Sequence, residues 1–187
     1  LKTGAVAETG HAADADLATS ATIYLGGYVS AVEAAVANAK HLGAQAGDEL
    51  KLASINSLDA TPGEGEGGAA QLSMDVTALT MNGDTITSCY IDALQAEVTF
   101  DTTGTITSDL AAPQTKNQLG DAYGMKAIAY AKYEWYEQAA NFSAYVTGKT
   151  AAEVAGIAVN EKTDADLATS VTIAIGGFQA LIAKAVQ

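Results

Sequence analysis

Arginine is absent from this chain of 187 residues, and its nine basic residues are all lysines, against 22 acidic residues and a formal net charge of −13. Binding to nucleic acid requires clustered Lys and Arg that displace counterions from phosphates, and nine scattered lysines do not supply such a cluster. An anionic membrane surface would repel the chain for the same reason. The lack of arginine also argues against an enzyme that handles nucleotides, because arginine is the usual bidentate partner of phosphate.

Cysteine and long apolar runs are scarce as well. Cys89 is the sole cysteine, so no intrachain disulfide forms, and its alternating apolar surroundings predict a buried, unreactive side chain. No stretch approaches the roughly 18 apolar residues of a membrane span. The sequence shows no signal peptide, so we expect that an exported protein would be present here as its mature form or a fragment of it, with a lipid anchor on the precursor left open.

Patterns that carry catalysis or bind metals are also missing. His11 and His41 have no further ligand at a compatible spacing, which predicts no metal site. The acid pairs Asp14/Asp16 and Asp164/Asp166 have the alternation of calcium loops, but helix capping uses the same residues and is favoured. There is neither a Gly-x-Ser-x-Gly motif nor a phosphate-binding loop. We therefore predict no catalytic residues, and an enzyme is the less favoured class.

An internal repeat is the strongest positive signal. Residues 14–27 and 164–177 are identical at 11 of 14 positions, and each stretch ends in Gly-Gly followed by an aromatic residue and an apolar helical pattern. We call residues 14–40 the N-terminal copy and residues 164–187 the C-terminal copy. The Thr-Ile stretch in each copy has β-propensity and Gly-Gly breaks it, which predicts a duplicated strand–helix unit at the two ends of the chain.

The region between the copies predicts an α+β fold with an antiparallel sheet of three to five strands backed by helices. Apolar alternation from residue 71 to 109 indicates a meander, with Asn82-Gly83 as a type I′ turn between two strands. The predicted organisation is a repeat unit and helix over 1–58, an acidic Gly-rich loop over 59–70, and an α+β core over 71–187, in one compact domain overall. Two pairs, Thr150 with Glu153 and Thr163 with Asp166, have the spacing of a capping box.

Aromatic residues concentrate in one segment. Residues 122–146 carry seven of the twelve aromatics of the chain, and their spacing predicts one helix that ends at Gly148. Such a helix is apolar on more than one face, so the sheet would cover one side and a neighbouring subunit the other. The residues that we predict for this interface are Tyr130, Tyr133, Trp135 and Tyr136. A ligand platform for a flavin ring or a sugar is the alternative use of the cluster.

Several stretches resemble a family of exported proteins and lipoproteins from clostridia and related anaerobic Gram-positive bacteria. They are Leu-Lys-Thr-Gly at 1–4, Ser-Cys-Tyr-Ile-Asp-Ala at 88–93, Thr-Lys-Asn-Gln-Leu-Gly-Asp-Ala-Tyr-Gly-Met-Lys at 115–126, Glu-Trp-Tyr-Glu-Gln at 134–138, Gly-Lys-Thr at 148–150, Gly-Ile-Ala-Val-Asn-Glu at 156–161 and the closing Asp-Ala-Asp-Leu. The resemblance covers roughly residues 71–187. It implies an extracellular or cell-surface location.

Members of this family are often uncharacterised or labelled as similar to FMN-binding domains. Those domains bind flavin through a Ser-Gly-Ala-Thr-x-Thr-Ser type of motif, and residues 167–172 lack its leading Ser-Gly pair. No cofactor is therefore expected, and FMN is the alternative. Under that alternative, the flavin-binding residues would be Thr169, Ser170 and Thr172.

Two functional hypotheses follow. The first is a non-catalytic extracellular or cell-surface protein that acts by self-association, as a filament or surface-layer subunit, because two related units on one chain suit head-to-tail assembly. The alternative is a flavin-linked redox or ligand-binding lipoprotein. Self is the expected partner under the first hypothesis, with no nucleic acid and no membrane span under either.

Overall fold

The computed structural model describes residues 10–61, 65, 67–127, 131–158 and 165–187. The chain divides into two compact units, Leu1–His41 and Leu42–Gln187, instead of one. The sheet and most of the helices belong to the second unit, which we call the α+β body. None of the helices in the described ranges is long and apolar enough to cross a membrane.

The first unit contains two helices, α1 (Ala15–Ser20) and α2 (Gly26–Ala37). Asp14 caps α1, because its carboxylate accepts hydrogen bonds from the N–H groups of Asp16 at 3.0 Å and Leu17 at 3.1 Å. This observation confirms capping as the role of Asp14. No residue of either helix is buried.

The strand predicted within each repeat is wrong. The stretches Thr-Ile-Tyr at 22–24 and Thr-Ile-Ala at 172–174 are irregular, and each joins a helix of six residues to a longer one. In the C-terminal copy these helices are α6 (Ala165–Ser170) and α7 (Gly176–Ala185). The β-propensity of three residues does not form a strand where no neighbouring strand is available to pair with them.

The sheet of the α+β body is an antiparallel meander in the order β1-β2-β3, with β1 (Glu49–Thr61), β2 (Gly68–Asn82) and β3 (Thr85–Phe100). This arrangement confirms the α+β class with a three-stranded sheet backed by helices. β1 extends through the end of the segment 1–58 and into the predicted loop 59–70, so those two boundaries differ from the prediction. Residues 105–107, expected to be extended, contribute one isolated bridge between Ile106 and Phe100.

The β2–β3 hairpin turns one residue later than predicted. Asn82 pairs with Thr85, so the two turn residues are Gly83 and Asp84. Gly83 has a φ of 57°, whereas Asp84 has a negative φ. A type I′ turn requires positive φ at both central residues, whereas a glycine at the first central position is typical of type II′.

One face of the sheet packs against helices. α4 (Trp135–Val146) lies on β3, and α7 lies on β1 and β2. The core contains side chains from all these elements, among them Leu79, Ile86, Ile91, Phe142, Val146, Leu181 and Ile182. Cys89 lies in the same core, as predicted, and burial raises the pKa of its thiol.

The predicted helix over 122–146 is shorter than expected. A short helix, α3 (Lys116–Leu119), comes first. Two 3₁₀ turns follow it, Gly120–Tyr123 and Met125–Ala127. Gly124, at a φ of 78°, separates the two turns. α4 then begins at Trp135, where the Glu137 carboxylate accepts from Glu134 N at 2.8 Å.

Local sequence signals mark the end of α4 and the start of the next helix. Gly148, at a φ of 86°, follows the end of α4, as predicted. Thr150 and Glu153 form the predicted capping box at the start of α5 (Ala151–Ala155). The capping box predicted for Thr163 with Asp166 lies outside the described residues.

Candidate functional site

The C-terminal copy is held on α4 by the side chain of Gln138, which is fully buried. Its Oε1 accepts hydrogen bonds from Thr172 N at 2.7 Å, Ile173 N at 3.0 Å and Thr172 Oγ1 at 3.2 Å. Its Nε2 donates to Tyr133 O at 2.8 Å. One buried amide therefore joins the backbone at Thr172 and Ile173 to the carbonyl of Tyr133.

Two further side chains of the same region bind the backbone of α6. Asn141 Nδ2 donates to Ser170 O at 3.1 Å, and Lys132 Nζ donates to Thr169 O at 3.2 Å. All these hydrogen bonds are made to backbone groups of the C-terminal copy or to the Thr172 hydroxyl. A segment with the same backbone path and a threonine at that position would receive the same contacts.

Aromatic packing completes the attachment. The Phe178 ring lies 5.9 Å from the Trp135 ring in an edge-on arrangement and 5.2 Å from the Phe142 ring, measured between centroids. Such pairs contribute about 0.5–1.5 kcal/mol beyond the area that they bury. Gln179 Nε2 donates to Val154 O at 2.7 Å and to Ile157 O at 2.8 Å, which ties α7 to α5. We call the surface beneath α6 and α7, formed by α4, α5 and the sheet, the closing groove.

The N-terminal copy presents the corresponding side chains to solvent. Tyr28 is 64% exposed, whereas Phe178, at the equivalent position 150 residues later, is 5% exposed. Leu17 and Val32 are 40% and 46% exposed, and their equivalents Leu167 and Ile182 are each 1% exposed. The further exposed apolar side chains of this unit are Ile23, Tyr24 and Val36. Tyr28, Val32 and Val36 follow one another at intervals of four residues and so lie along one face of α2.

A cleft lies next to the closing groove. It has a volume of about 250 Å³ and is lined by Asp75, Lys116, Met125, Trp135, Ile173, Ala174, Gly177 and Phe178. Lys116 Nζ lies 4.8 Å from the centre of the Tyr123 ring and 5.1 Å from that of Trp135, which are cation–π distances. Burial raises the pKa of the Asp75 carboxyl, and the positive charge of Lys116 offsets part of that increase.

The cleft offers an ammonium, a carboxyl with a raised pKa and aromatic surface, but no serine, threonine, cysteine or histidine among its lining residues. Its volume is below the 300–1,000 Å³ that is usual for pockets that enclose a ligand. A small anionic ligand could contact Lys116 there, whereas a flavin would be enclosed only in part.

The flavin-binding residues of the alternative hypothesis do not line this cleft. Thr172 donates to Gln138, and Ser170 Oγ donates to Leu167 O at 3.3 Å, so both hydroxyl groups are used within the protein. Thr169 contributes its carbonyl oxygen to Lys132. The three residues thus belong to the attachment of the C-terminal copy.

The four predicted interface residues have different positions. Trp135 is 5% exposed and packs inside the α+β body, so the prediction that it lies at a subunit interface is wrong. Phe178 of α7 covers its ring, where we had expected a neighbouring subunit. Tyr133 and Tyr136 are partly exposed and stay candidates. Tyr130 lies outside the described residues.

No group of three or more His, Cys, Asp or Glu side chains in the described ranges could hold a metal ion. Asp164 lies outside those ranges, as does the side chain of Asp166.

Gln138, Asp75 and Lys116 were not identified from the sequence. Gln138 stands in a predicted amphipathic helix, where a single polar residue gives no sign of burial. Asp75 lies at an alternating position of β2, and only its place on the helix-covered face indicates a special environment. All three residues become recognisable only when it is known which helices and strands, distant in sequence, pack against one another.

No protein-family model matches the chain, and no solved structure matches it. A stretch of 41 residues, 22% of this chain, is 54% identical to part of the chlorophenol reductase of Desulfitobacterium hafniense. The chain spans 12% of the length of that curated relative. A similarity of this extent assigns no family.

Proposed function

We propose that the protein is a non-catalytic extracellular or cell-surface protein that acts by associating with further copies of itself, as a subunit of a filament or surface layer. The observation that carries this proposal is the set of exposed apolar side chains of the N-terminal copy, among them Tyr28, Val32 and Val36. A surface of this composition gains free energy when a protein partner covers it, at about 25 cal/mol per Å² of apolar area.

Charge and composition support the extracellular part of the proposal. The net charge of −13 and the lack of arginine disfavour nucleic acid and anionic membrane surfaces as partners. The resemblance to exported clostridial proteins and lipoproteins indicates the same compartment. The lone cysteine, which is buried, is compatible with an oxidising environment.

Multi-angle light scattering over a concentration series tests self-association. We expect the mean mass of the wild type to rise with concentration, and Tyr28→Ala to reduce that rise. Leu110→Ala is the matched control, because Leu110 is also an exposed apolar residue but lies in a loop of the α+β body. A monomeric wild type at every concentration would overturn the proposal.

A second candidate function is the binding of a small ligand in the cleft beside Lys116, and the stacking of that ammonium on Tyr123 and Trp135 favours it. FMN, the cofactor of the alternative hypothesis, is the first probe, with riboflavin as the probe that lacks the phosphate. We expect quenching of flavin fluorescence that Lys116→Met weakens and Lys51→Met leaves unchanged, since Lys51 pairs with Glu49 on β1. Unquenched fluorescence with both probes, together with colourless purified protein, would remove flavin binding.

A further inference from the structure

The two copies share their order of elements as well as their sequence. α1 and α6 occupy equivalent positions at an offset of 150 residues, and both α2 and α7 begin at the first glycine of Gly-Gly. The residues before these longer helices, Leu25 and Ile175, have nearly the same backbone angles, φ −97° and ψ −13° against φ −94° and ψ −5°. The N-terminal copy therefore has the local structure of a segment that, at the other end of the chain, closes a hydrophobic core.

The hydrogen bonds from α4 to the backbone of the C-terminal copy could also be made to the N-terminal copy. Gln138 binds the backbone and hydroxyl of Thr172 and the backbone of Ile173, and the equivalent residues are Thr22 and Ile23. No hydrogen bond to another described residue is made by the N–H groups of Thr22 and Ile23. Asn141 binds the carbonyl of Ser170, whose equivalent is Ser20. The chain therefore carries two segments with the same backbone groups and similar apolar residues. The C-terminal copy is packed on α4, whereas the N–H groups of Thr22 and Ile23 in the N-terminal copy are not bonded by any described residue.

Resting on the proposed function, we propose that the N-terminal copy is a closing segment for the α+β body of a second copy of this chain, where it occupies the closing groove in place of α6 and α7. Tyr28 then lies against Trp135 and Phe142 of the second chain, and the Gln138 amide receives Thr22 and Ile23. The contact joins different surfaces of the two chains, so it can continue from chain to chain.

Competition for the groove follows from this arrangement. The C-terminal copy is tethered to its own groove, which gives it an effective concentration in the millimolar range. It also has larger apolar residues where the N-terminal copy has Ala21 and Ala31, and it has Gln179 where the N-terminal copy has Val29. Exchange between chains is therefore favoured when the hold of the C-terminal copy is weakened.

Cross-linking between two differently labelled full-length chains tests the docking. The donor chain carries Ser20→Cys, and the acceptor chain carries Asn141→Cys with Gln179→Val, which removes the two hydrogen bonds of Gln179 to α5. A short bis-maleimide should join donor to acceptor, because Ser20 takes the place of Ser170 beside residue 141. The buried Cys89 is controlled for by chains without the engineered cysteines.

Two donor variants report on the apolar face. Tyr28→Ala should lower the yield of the cross-linked pair by about tenfold or more, because it truncates the aromatic anchor of the docked segment. Tyr28→Phe, which places the residue of the C-terminal copy at this position, should preserve or raise the yield. Equal yields from all three donors, or none from any, would overturn the docking proposal.

The acceptor must remain folded for these outcomes to count, which circular dichroism checks. If Gln179→Val unfolds the body, the acceptor with Asn141→Cys alone is incubated with donor at high concentration, and the same order of yields is required. Oligomers in light scattering without the cross-link would overturn the docking while leaving self-association in place. A cross-link that forms while the wild type stays monomeric would support the docking and overturn the proposed function.

Discussion

At the scale of single residues, Gln138 joins two parts of the chain that are more than thirty residues apart, because one amide serves Tyr133 O on one side and Thr172 and Ile173 on the other. Gln138→Leu would keep much of the side-chain volume and leave these backbone groups unpaired. A lost hydrogen bond costs about 0.5–1.5 kcal/mol net where water replaces the partner and about 1–3 kcal/mol where it does not. Because Thr172 is exposed and Tyr133 and Ile173 are partly exposed, we expect the free energy of unfolding to fall by about 1–3 kcal/mol in urea denaturation.

Gln45→Leu is the matched control for this measurement. Gln45 is exposed, and its side-chain amide donates to the carbonyl of Gly43 at 3.0 Å. Exposed substitutions of this kind change stability by about 0.5 kcal/mol or less. If Gln138→Leu were as mild as Gln45→Leu, water or a shifted backbone would have to satisfy the groups that Gln138 binds here.

The carboxyl groups of Asp75 and Asp101 should give opposite dependences of stability on pH. Burial raises the pKa of Asp75 above its ordinary value of 3.8, so the folded protein binds more protons than the unfolded chain in the window above 3.8. Stability due to Asp75 therefore falls as pH rises through that window. Asp75→Asn should stabilise the protein at pH 7 relative to wild type, and this gain should disappear below about pH 3.8.

The pKa of Asp101 is shifted in the opposite direction to that of Asp75. Hydrogen bonds from the Thr103 hydroxyl and from the backbone N–H groups of Thr105 and Thr103 lower its pKa below 3.8. Its contribution to stability is present above pH 3.8 and is lost as pH falls through the folded-state pKa. Asp101→Asn should destabilise the protein at pH 7, as measured by urea denaturation at a series of pH values. Two variants that shift the profile in the same direction would contradict one of the two assignments, and the direction shows which.

At the scale of elements, the β2–β3 hairpin depends on one glycine. Gly83 has a φ of 57°, where a β-branched side chain is strained. We expect Gly83→Val to lower the free energy of unfolding by about 1–2 kcal/mol, as a fall in melting temperature shows. Asp84→Val is the control, because Asp84 is the other turn residue and has a negative φ. A larger loss for Asp84→Val than for Gly83→Val would argue against this turn.

Elements set by local chemistry could be predicted from the sequence. The capping box of Thr150 with Glu153 and the hairpin near Asn82 each depend on residues close together in the chain, and both are present, the turn displaced by one residue. β1 was missed, because its place in the sheet is set by pairing with β2. The helix predicted over 122–146 was too long, because periodicity does not reveal that Gly124 adopts a positive φ.

The candidate site was harder to predict than the fold. The repeat was visible in the sequence, but its two copies have almost the same letters and opposite environments: Leu167 is buried and Leu17 is exposed. A side chain is buried only where another element of the fold packs against it. The sequence of the repeat alone does not indicate which of its copies has such a neighbour. Trp135 illustrates the same point, since its cover comes from α7 of its own body.

At the scale of the whole molecule, apolar attraction through the N-terminal copy opposes the repulsion between chains that each carry a net charge of −13. Salt weakens repulsion between exposed charges, with a screening length of about 10 Å at 0.1 M and about 3 Å at 1 M, and leaves apolar contacts in place. Light scattering over a salt series should therefore show a mean mass that rises with ionic strength.

Tyr28→Ala together with Val32→Ala should flatten this rise, because both side chains belong to the exposed face of the N-terminal copy. Trp135→Ala serves as a different control, since Trp135 is buried and its loss should lower stability before it alters the salt dependence. A mean mass that falls as salt is added would show that ion pairs between chains drive association, and the apolar face would then not be its basis.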